Sequence, residues 1–238
     1  MPEFPAKFRE RLLDLMTWRR DVRRFRRDPL PEGCLDRLLE TAALAPSVGL
    51  SQPWRFVVVE DAARRAAIRA NFERANAAAL AAQEGADAQH YARLKLAGLD
   101  EAPAQLGVFA DRGTSQGRGL GRRTMPETIE YSAVMAIHTL WLAARAEGVG
   151  LGWVSILETD EVSGILEIPA EWSFIGYLCL GYPEAPDDTP ALEREGWEHR
   201  RDWQRFVGAR AQLDDVSKWA DTVPSPPVAA PRGEQSRA

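Results

Sequence analysis

The chain has 238 residues, of which 45% are hydrophobic and 27% charged, with 35 Asp and Glu against 30 Lys and Arg. This composition is typical of a soluble globular protein with one sizeable core. The net charge of −5 argues against a surface that binds nucleic acid as a whole, so any positively charged site must be local.

The N-terminal region lacks the apolar stretch of a secretory signal, and no segment has about 18 consecutive apolar residues. We therefore predict a cytoplasmic protein.

Residues 6–18 place Phe, Leu and Met side chains among charged ones at helical spacing. This pattern predicts an amphipathic helix.

A cluster of arginines follows this helix. Residues 18–27 read WRRDVRRFRR, with six arginines at positions 19–27 around Asp21. A guanidinium group can donate two parallel hydrogen bonds to a phosphate, so the use of arginine rather than lysine favours a phosphate site. The surrounding positive charge also makes Asp21 a natural hydrogen-bond acceptor. The alternative is an ordinary solvated charged face.

The next segment with polar groups at a turn is APSVGLSQPW, residues 45–54. It joins the end of a predicted helix to the start of a predicted strand. Ser47 and Gln52 offer polar contacts there, with Trp54 beside them. The alternative is an ordinary loop between a helix and a strand.

Helices and short strands alternate over the rest of the chain. In chain order the pattern predicts a helix at 34–46, a strand at 55–60, helices at 62–84 and 85–97, a strand at 104–111, a mobile loop at 112–123, a helix at 127–148 and strands at 151–156 and 173–182. The Pro-rich segment from 221 to 238 is predicted to be disordered. Long helices around one sheet indicate an α+β or α/β domain, which we place at residues 1–220.

Other motifs support no catalytic class. In GVGLGW, residues 148–153, a helix precedes the glycines and a strand follows them, which is the reverse of a dinucleotide-binding loop. Cys34 and Cys179 lie far apart and are predicted to be buried, reduced thiols. His138 lies in the most apolar helix and is predicted to be a hydrogen-bonded core histidine. We predict no metal site.

Four segments occur in an order that resembles a known family: RRDVRRF, APSVGLSQPWRFVVV, LWLAARAEGVGLGWVSI and YLCLGYP. This order is similar to that of the FMN-dependent nitroreductase-like superfamily. The combination of Arg-Arg-Asp-Val-Arg with Gly-Trp-Val-Ser looks like the 5,6-dimethylbenzimidazole synthases within it, since ordinary nitroreductases usually have serine where Asp21 stands. The resemblance covers roughly residues 6–207. It implies an α+β fold with helices around a central mixed β-sheet, and an intertwined homodimer.

The resemblance also implies roles for individual residues. It assigns FMN binding to Arg19, Arg20, Arg23, Pro46, Ser47, Lys95 and Arg200. The arginines would hold the phosphate and ribityl end, while Ser47 with Pro46 would approach the flavin from the other subunit. Asp21 would be the catalytic carboxylate near the junction of ribityl chain and ring. Ser155 would lie over the isoalloxazine ring and assist the oxidative steps.

The implied reaction consumes reduced FMN as a substrate. Oxygen is required, the ring is fragmented, and 5,6-dimethylbenzimidazole and erythrose 4-phosphate are released. The benzimidazole is the lower axial ligand of cobalamin. Because no separate nicotinamide substrate is implied, NAD(P)H would act only indirectly, through a separate flavin reductase that supplies reduced FMN.

Three other functions remain open at this stage. One is an NAD(P)H-dependent flavin reductase or nitroreductase of the same fold, because a fold does not determine its chemistry. Another is a non-catalytic protein that sequesters flavin through the arginines. The weakest is nucleic-acid binding through the arginine cluster and the loop at 112–123, because the chain is acidic overall and lacks interleaved aromatic side chains for stacking.

Overall fold

The computed structural model describes residues 1–203. The chain divides into two compact units, residues 1–189 and a unit that begins at Pro190. The predicted disordered tail and the predicted domain end at residue 220 lie outside the described residues. Within residues 1–203, every helix is too short or too polar to cross a membrane.

Most of the predicted elements are present, with ends that differ by a few residues. The helices of the first unit are α1 (Ala6–Trp18), α2 (Cys34–Ala42), α3 (Ala62–Ala81), α4 (Gly85–Tyr91), α5 (Thr128–Ala146) and α6 (Thr159–Ile165). Its strands are β1 (Trp54–Val58), β2 (Ala104–Asp111), β3 (Gly150–Val154) and β4 (Trp172–Gly181). The second unit contains α7 (Ala191–Arg194). Neither α6 nor α7 was predicted, because such short segments show no clear apolar period.

The four strands form one sheet in the order β1-β2-β4-β3. Every pair of neighbouring strands is antiparallel, so the predicted α+β class is confirmed and the prediction of a mixed sheet is wrong for these strands. Buried strands of both kinds read as continuous apolar runs, and the sequence therefore carries little signal for strand direction. The parallel bridge between Asp21 and Leu151 lies outside the named strands.

Helices cover both faces of the sheet. Successive side chains of a strand point to opposite faces, so Tyr177 and Cys179 of β4 face one layer while Leu178 and Leu180 face the other. The first layer is built on α3 and α6 and includes Ile68, Phe109, Val162, Tyr177 and Cys179. The second layer is built on α2 and α5 and includes Leu38, Leu106, Ile137, Leu140, Leu178 and Leu180. Each fully buried aliphatic side chain stabilises the fold by about 1.5–3 kcal/mol.

Helix α5 has apolar residues on a second, outward side. In the single chain, the residues Tyr131, Val134 and Met135 are 55%, 39% and 42% exposed to solvent. His138 lies on the same helix and is also exposed. The prediction of a core histidine is therefore wrong for the single chain, because the apolar surface of α5 is wider than the face that packs on its own sheet.

Candidate active site

The arginine cluster runs along the edge of the sheet, beside β3. The backbone N–H of Val22 donates to the carbonyl of Leu151 at 3.0 Å, and the N–H of Arg26 donates to the carbonyl of Tyr182 at 2.8 Å. These bonds continue the sheet by one irregular extended segment. They place the side chains around Asp21 at the open edge of a rigid scaffold.

The glycines of residues 148–153 make this approach possible. Gly148 has a φ of +76° and ends α5, as the sequence predicts. A Cβ at Gly152 would overlap the carbonyl oxygen of Val22, and a Cβ at Gly150 would lie 2.7 Å from Val22 Cγ2. The sequence analysis missed this second role, in which glycine lets another backbone come close.

We expect Gly152→Ala to force residues 21–23 away from β3. Overpacking of this kind costs about 1–3 kcal/mol, so chemical denaturation should show that loss in the free energy of unfolding. Gly164→Ala is the matched control, because a Cβ there meets no atom within 4 Å and alanine favours the helix α6. Equal stability of the two variants would contradict the proposed close approach.

The Asp21 carboxylate is held by both of its oxygens. Oδ1 accepts the backbone N–H of Trp153 at 2.8 Å, and Oδ2 accepts Nε–H of Arg23 at 2.8 Å. The side chains of Arg23 and Asp21 are 16% and 30% exposed. The carboxylate is therefore fixed in direction and still accessible from one side, which suits a group that acts on a bound molecule.

Arg23 also connects this carboxylate to a distant part of the chain. Its Nη1 donates to the carbonyl oxygen of Lys95 at 3.3 Å. The Lys95 ammonium donates to both carboxylate oxygens of Glu101, at 3.2 and 3.3 Å. The structure thus places the Lys95 backbone beside Arg23 and Asp21, while the Lys95 ammonium pairs with Glu101, for which the sequence contains no signal. The flavin-binding role predicted for Lys95 remains a prediction.

Arg19 and Arg20 are positioned by α5. The Arg19 guanidinium lies 4.7 Å from the ring centroid of Trp141, and the indole N–H of Trp141 donates to the carbonyl of Arg20 at 3.2 Å. Arg20 donates from Nε to the carbonyl of Asp188 at 2.7 Å and from Nη1 to that of Arg19 at 3.0 Å. Both side chains are half-buried.

The remaining arginines of the cluster face solvent. Arg24, Arg26 and Arg27 are exposed, and Arg26 pairs with Asp28 at 2.6 Å. This hydrogen bond and the Arg26 charge lower the pKa of Asp28. The cluster therefore has two parts: a half-buried set next to Asp21 and an exposed set that behaves as a solvated face.

Ser155 and Arg200 lie in less enclosed positions. Ser155 follows directly after β3, two residues beyond Trp153, and is exposed. Arg200 belongs to the second unit, in which its side chain is exposed. The roles predicted for these two residues remain predictions.

The turn that contains Ser47 packs on the beginning of α5. Ser47 Oγ accepts the N–H of Gln52 at 3.1 Å, and the N–H of Val48 donates to Ser132 Oγ at 3.0 Å. Pro46, next to Ser47, is exposed. The predicted polar turn is therefore a defined structure with one face open.

The loop predicted at 112–123 also contacts the turn that contains Ser47. It contains a short 3-10 helix, Gln116–Gly119. The side-chain amide of Gln116 donates to the carbonyl of Leu50 at 2.8 Å and to Gln52 Oε1 at 3.0 Å. Leu50 and Gln52 both have positive φ, at +56° and +41°, a conformation that non-glycine residues adopt only when neighbours hold it.

Within a single chain, the turn that contains Ser47 lies far from the arginine cluster. The turn contacts Ser132 and the arginines contact Trp141, and nine residues of α-helix separate these positions by about 13 Å. The turn also leads into β1 while Asp21 borders β3, and these are opposite edges of the sheet, about 14 Å apart. Two halves of the predicted site thus lie at opposite ends of α5.

The core beneath Asp21 contains a fully buried thiol. Burial raises the pKa of Cys179 from 9.0 to about 12, and the charge of Asp21 contributes in the same direction. Burial, followed by the charge of Glu147, raises the pKa of Cys34 as well. Both cysteines are free and buried, which confirms the prediction of buried, reduced thiols.

We expect the raised pKa of Cys179 to appear in the pH dependence of stability. Between about pH 9 and pH 12 the folded protein retains a thiol proton that the unfolded chain has lost, so the free energy of unfolding falls as the pH rises through this range. In Cys179→Ala this decline should be less steep. Denaturant titrations at several pH values measure it, and parallel curves for the two proteins would refute the assignment.

Comparison with known proteins identifies the family of this fold. The model of the nitroreductase family matches residues 16–182. A 5,6-dimethylbenzimidazole synthase of Rhodospirillum rubrum is 58% identical over 84% of this chain and 95% of its own, and one of Rhodobacter capsulatus is 50% identical over 85% and 99%. The crystal structure of an iodotyrosine deiodinase bound to FMN and 3-iodo-L-tyrosine is similar with a TM-score of 0.66, at 28% identity over 84% of this chain and 97% of the other.

These similarities confirm the predicted nitroreductase-like α+β fold and the predicted resemblance, and they support an enzyme of this kind. The region matched by the family model includes part of α1, the arginine cluster, all four strands and α5. The chain belongs to the nitroreductase family, among the 5,6-dimethylbenzimidazole synthases.

Proposed function

We propose that this enzyme fragments reduced FMN in an oxygen-dependent reaction and releases 5,6-dimethylbenzimidazole and erythrose 4-phosphate. The benzimidazole would supply the lower ligand of cobalamin. The observation that carries this proposal is the Asp21 carboxylate, held between Arg23 and the Trp153 amide at an edge lined with further arginines. The name shared by the relatives at 58% and 50% identity supports the same chemistry.

The donors around Asp21 are of the kind that binds the phosphate of FMN. Arg19, Arg20 and Arg23 are half-buried side chains within five consecutive positions, and guanidinium groups suit the bidentate recognition of phosphate. The similar iodotyrosine deiodinase structure contains FMN. We assign these three arginines to the phosphate and ribityl end. Lys95 and Arg200 are proposed as further contributors on the resemblance alone.

Bound reduced FMN supplies the electrons for oxygen reduction and the carbon skeleton of both products. Asp21 would accept or donate a proton at the ribityl C1′ position as bonds to that carbon break. Its two hydrogen bonds hold the carboxylate in one orientation, and the arginines hold the phosphate, so the reacting carbon is kept still relative to Asp21. Ser155 would donate or accept a hydrogen bond over the ring.

We further propose that the site is completed in a homodimer. Ser47 and Pro46 lie at the opposite end of α5 from the arginines, so a second copy must supply them if they approach the same flavin. The outward side of α5, with Tyr131, Val134 and Met135 partly exposed, provides an apolar surface of the kind that a second copy covers. Sedimentation equilibrium would test this, and a monomer at micromolar concentration would exclude it.

The activity assay follows from the proposed reaction. The purified protein is incubated with FMN, NADPH, an unrelated flavin reductase and air, and the products are separated and identified by mass spectrometry. We expect 5,6-dimethylbenzimidazole only when oxygen and the reductase are both present. Intact FMN without benzimidazole would refute the proposal. Steady NADPH oxidation by the protein alone, with a nitroaromatic compound, would instead indicate a nitroreductase.

A further inference from the structure

Trp141 makes two different contacts with the arginine cluster. Its ring lies under the guanidinium of Arg19, with 4.7 Å between the carbon of that group and the ring centroid. Its indole N–H donates to the backbone carbonyl of Arg20 at 3.2 Å. One side chain thus orients the side chain of one arginine and the peptide group of the next.

The position of Trp141 in the fold makes these contacts rigid. Trp141 lies on α5 and packs against the core that α5 shares with the sheet. Its ring is also close to that of Trp153, at 6.4 Å between centroids, and the Trp153 amide holds Asp21. A rigid helix therefore supports the arginine side of the site, and the two tryptophans connect that support to the carboxylate.

We propose that Trp141 is a positioning residue for phosphate recognition, which sets the orientation of the Arg19 side chain and of the Arg20 peptide group before the phosphate binds. This inference depends on the proposed function, in which these arginines hold the phosphate of FMN. Long arginine side chains lose rotamer freedom when they bind a ligand. A ring that already holds Arg19 removes part of that cost, and the indole N–H limits the rotation of the Arg20 peptide group.

A comparison of FMN with riboflavin separates positioning from general support. Riboflavin has the same ring system and ribityl chain but no phosphate, so damage to the fold weakens the binding of both ligands. Loss of arginine positioning weakens the binding of FMN more than that of riboflavin, because only FMN has the phosphate. The ratio of the two dissociation constants, measured by flavin fluorescence titration, is therefore the decisive quantity.

Two variants remove the contacts in steps. Trp141→Leu removes the ring and the N–H, and we expect it to raise the dissociation constant of FMN about 3- to 30-fold, in line with a cation–π contact, while that of riboflavin changes little. Trp141→Phe keeps an aromatic ring and loses the N–H, so we expect a smaller increase, again larger for FMN than for riboflavin. If the leucine variant does not fold, the phenylalanine variant decides the question.

The matched control is Trp172→Phe, because Arg55 lies over the Trp172 ring at 5.5 Å in a similar pair outside the site. We expect this variant to keep the FMN-to-riboflavin ratio of the unaltered protein. A ratio of dissociation constants that stays unchanged in the Trp141 variants would overturn the inference, whether the binding of both flavins weakens equally or neither changes.

The arginine variants distinguish failure of this inference from failure of the proposed function. Arg19→Ala and Arg20→Ala should each lower the FMN-to-riboflavin preference. If they do so and the Trp141 variants do not, Trp141 has no positioning role and the phosphate assignment stands. If neither arginine variant changes the preference, both the assignment of these two arginines to the phosphate and the role of Trp141 are wrong.

Discussion

Asp21→Asn is expected to lower the rate of benzimidazole formation by about 10²- to 10⁴-fold, the usual contribution of a general acid or base, while FMN still binds. The amide has nearly the same shape as the carboxylate and leaves the arginines in place. It carries no negative charge, and its NH₂ group must face one of two donors, Arg23 Nε–H or the Trp153 N–H. Product formation by mass spectrometry and FMN titration together measure the effect.

Asp28→Asn is the matched control for this substitution. Asp28 lies a few residues further along, and it pairs with the exposed Arg26 instead of a residue at the site. Its substitution should leave product formation unchanged, since exposed ion pairs contribute little. Normal product formation by Asp21→Asn, or loss of FMN binding with normal turnover of what still binds, would contradict the catalytic assignment.

Arg23→Ala is expected to weaken FMN binding more than it slows the bound complex. Hydrogen bonds to charged groups contribute about 1.5–3 kcal/mol, so the dissociation constant should rise about 10- to 150-fold. The variant also removes one of the two donors to Asp21, and we therefore expect a smaller decrease in turnover as well. Equilibrium titration and single-turnover kinetics separate the two effects.

Arg27→Ala tests whether this effect belongs to the site or to the positive charge of the segment. Arg27 is in the same cluster but is exposed. We expect its variant to bind FMN almost normally. If Arg23→Ala and Arg27→Ala weaken FMN binding equally, the cluster acts as a diffuse positive surface. If neither variant weakens it, the phosphate is held elsewhere.

Local features of the sequence were sufficient to predict most of the elements. Helix α1 and strand β2 have the predicted ends, because apolar spacing and clear boundaries coincide there. The glycine stop at Gly148, two residues after the last residue of α5, and the burial of both cysteines were also predicted correctly. The identification of Asp21, Arg23 and Lys95 as one group depended on the resemblance to a family, since these residues are far apart in the sequence.

Tertiary structure decided what depends on pairing between distant segments. The direction of the strands, the division of the arginines into half-buried and exposed sets, and the close approach of Val22 to Gly152 all require the edge of a folded sheet. The contacts of Trp141 require α5 to lie beside the arginine cluster. A side chain's spacing in the sequence records which face of its own element it occupies, but not which other element will cover that face. The sequence alone therefore determined the elements and the chemistry available, and the packing of α5 and β3 decided which of those groups form the site.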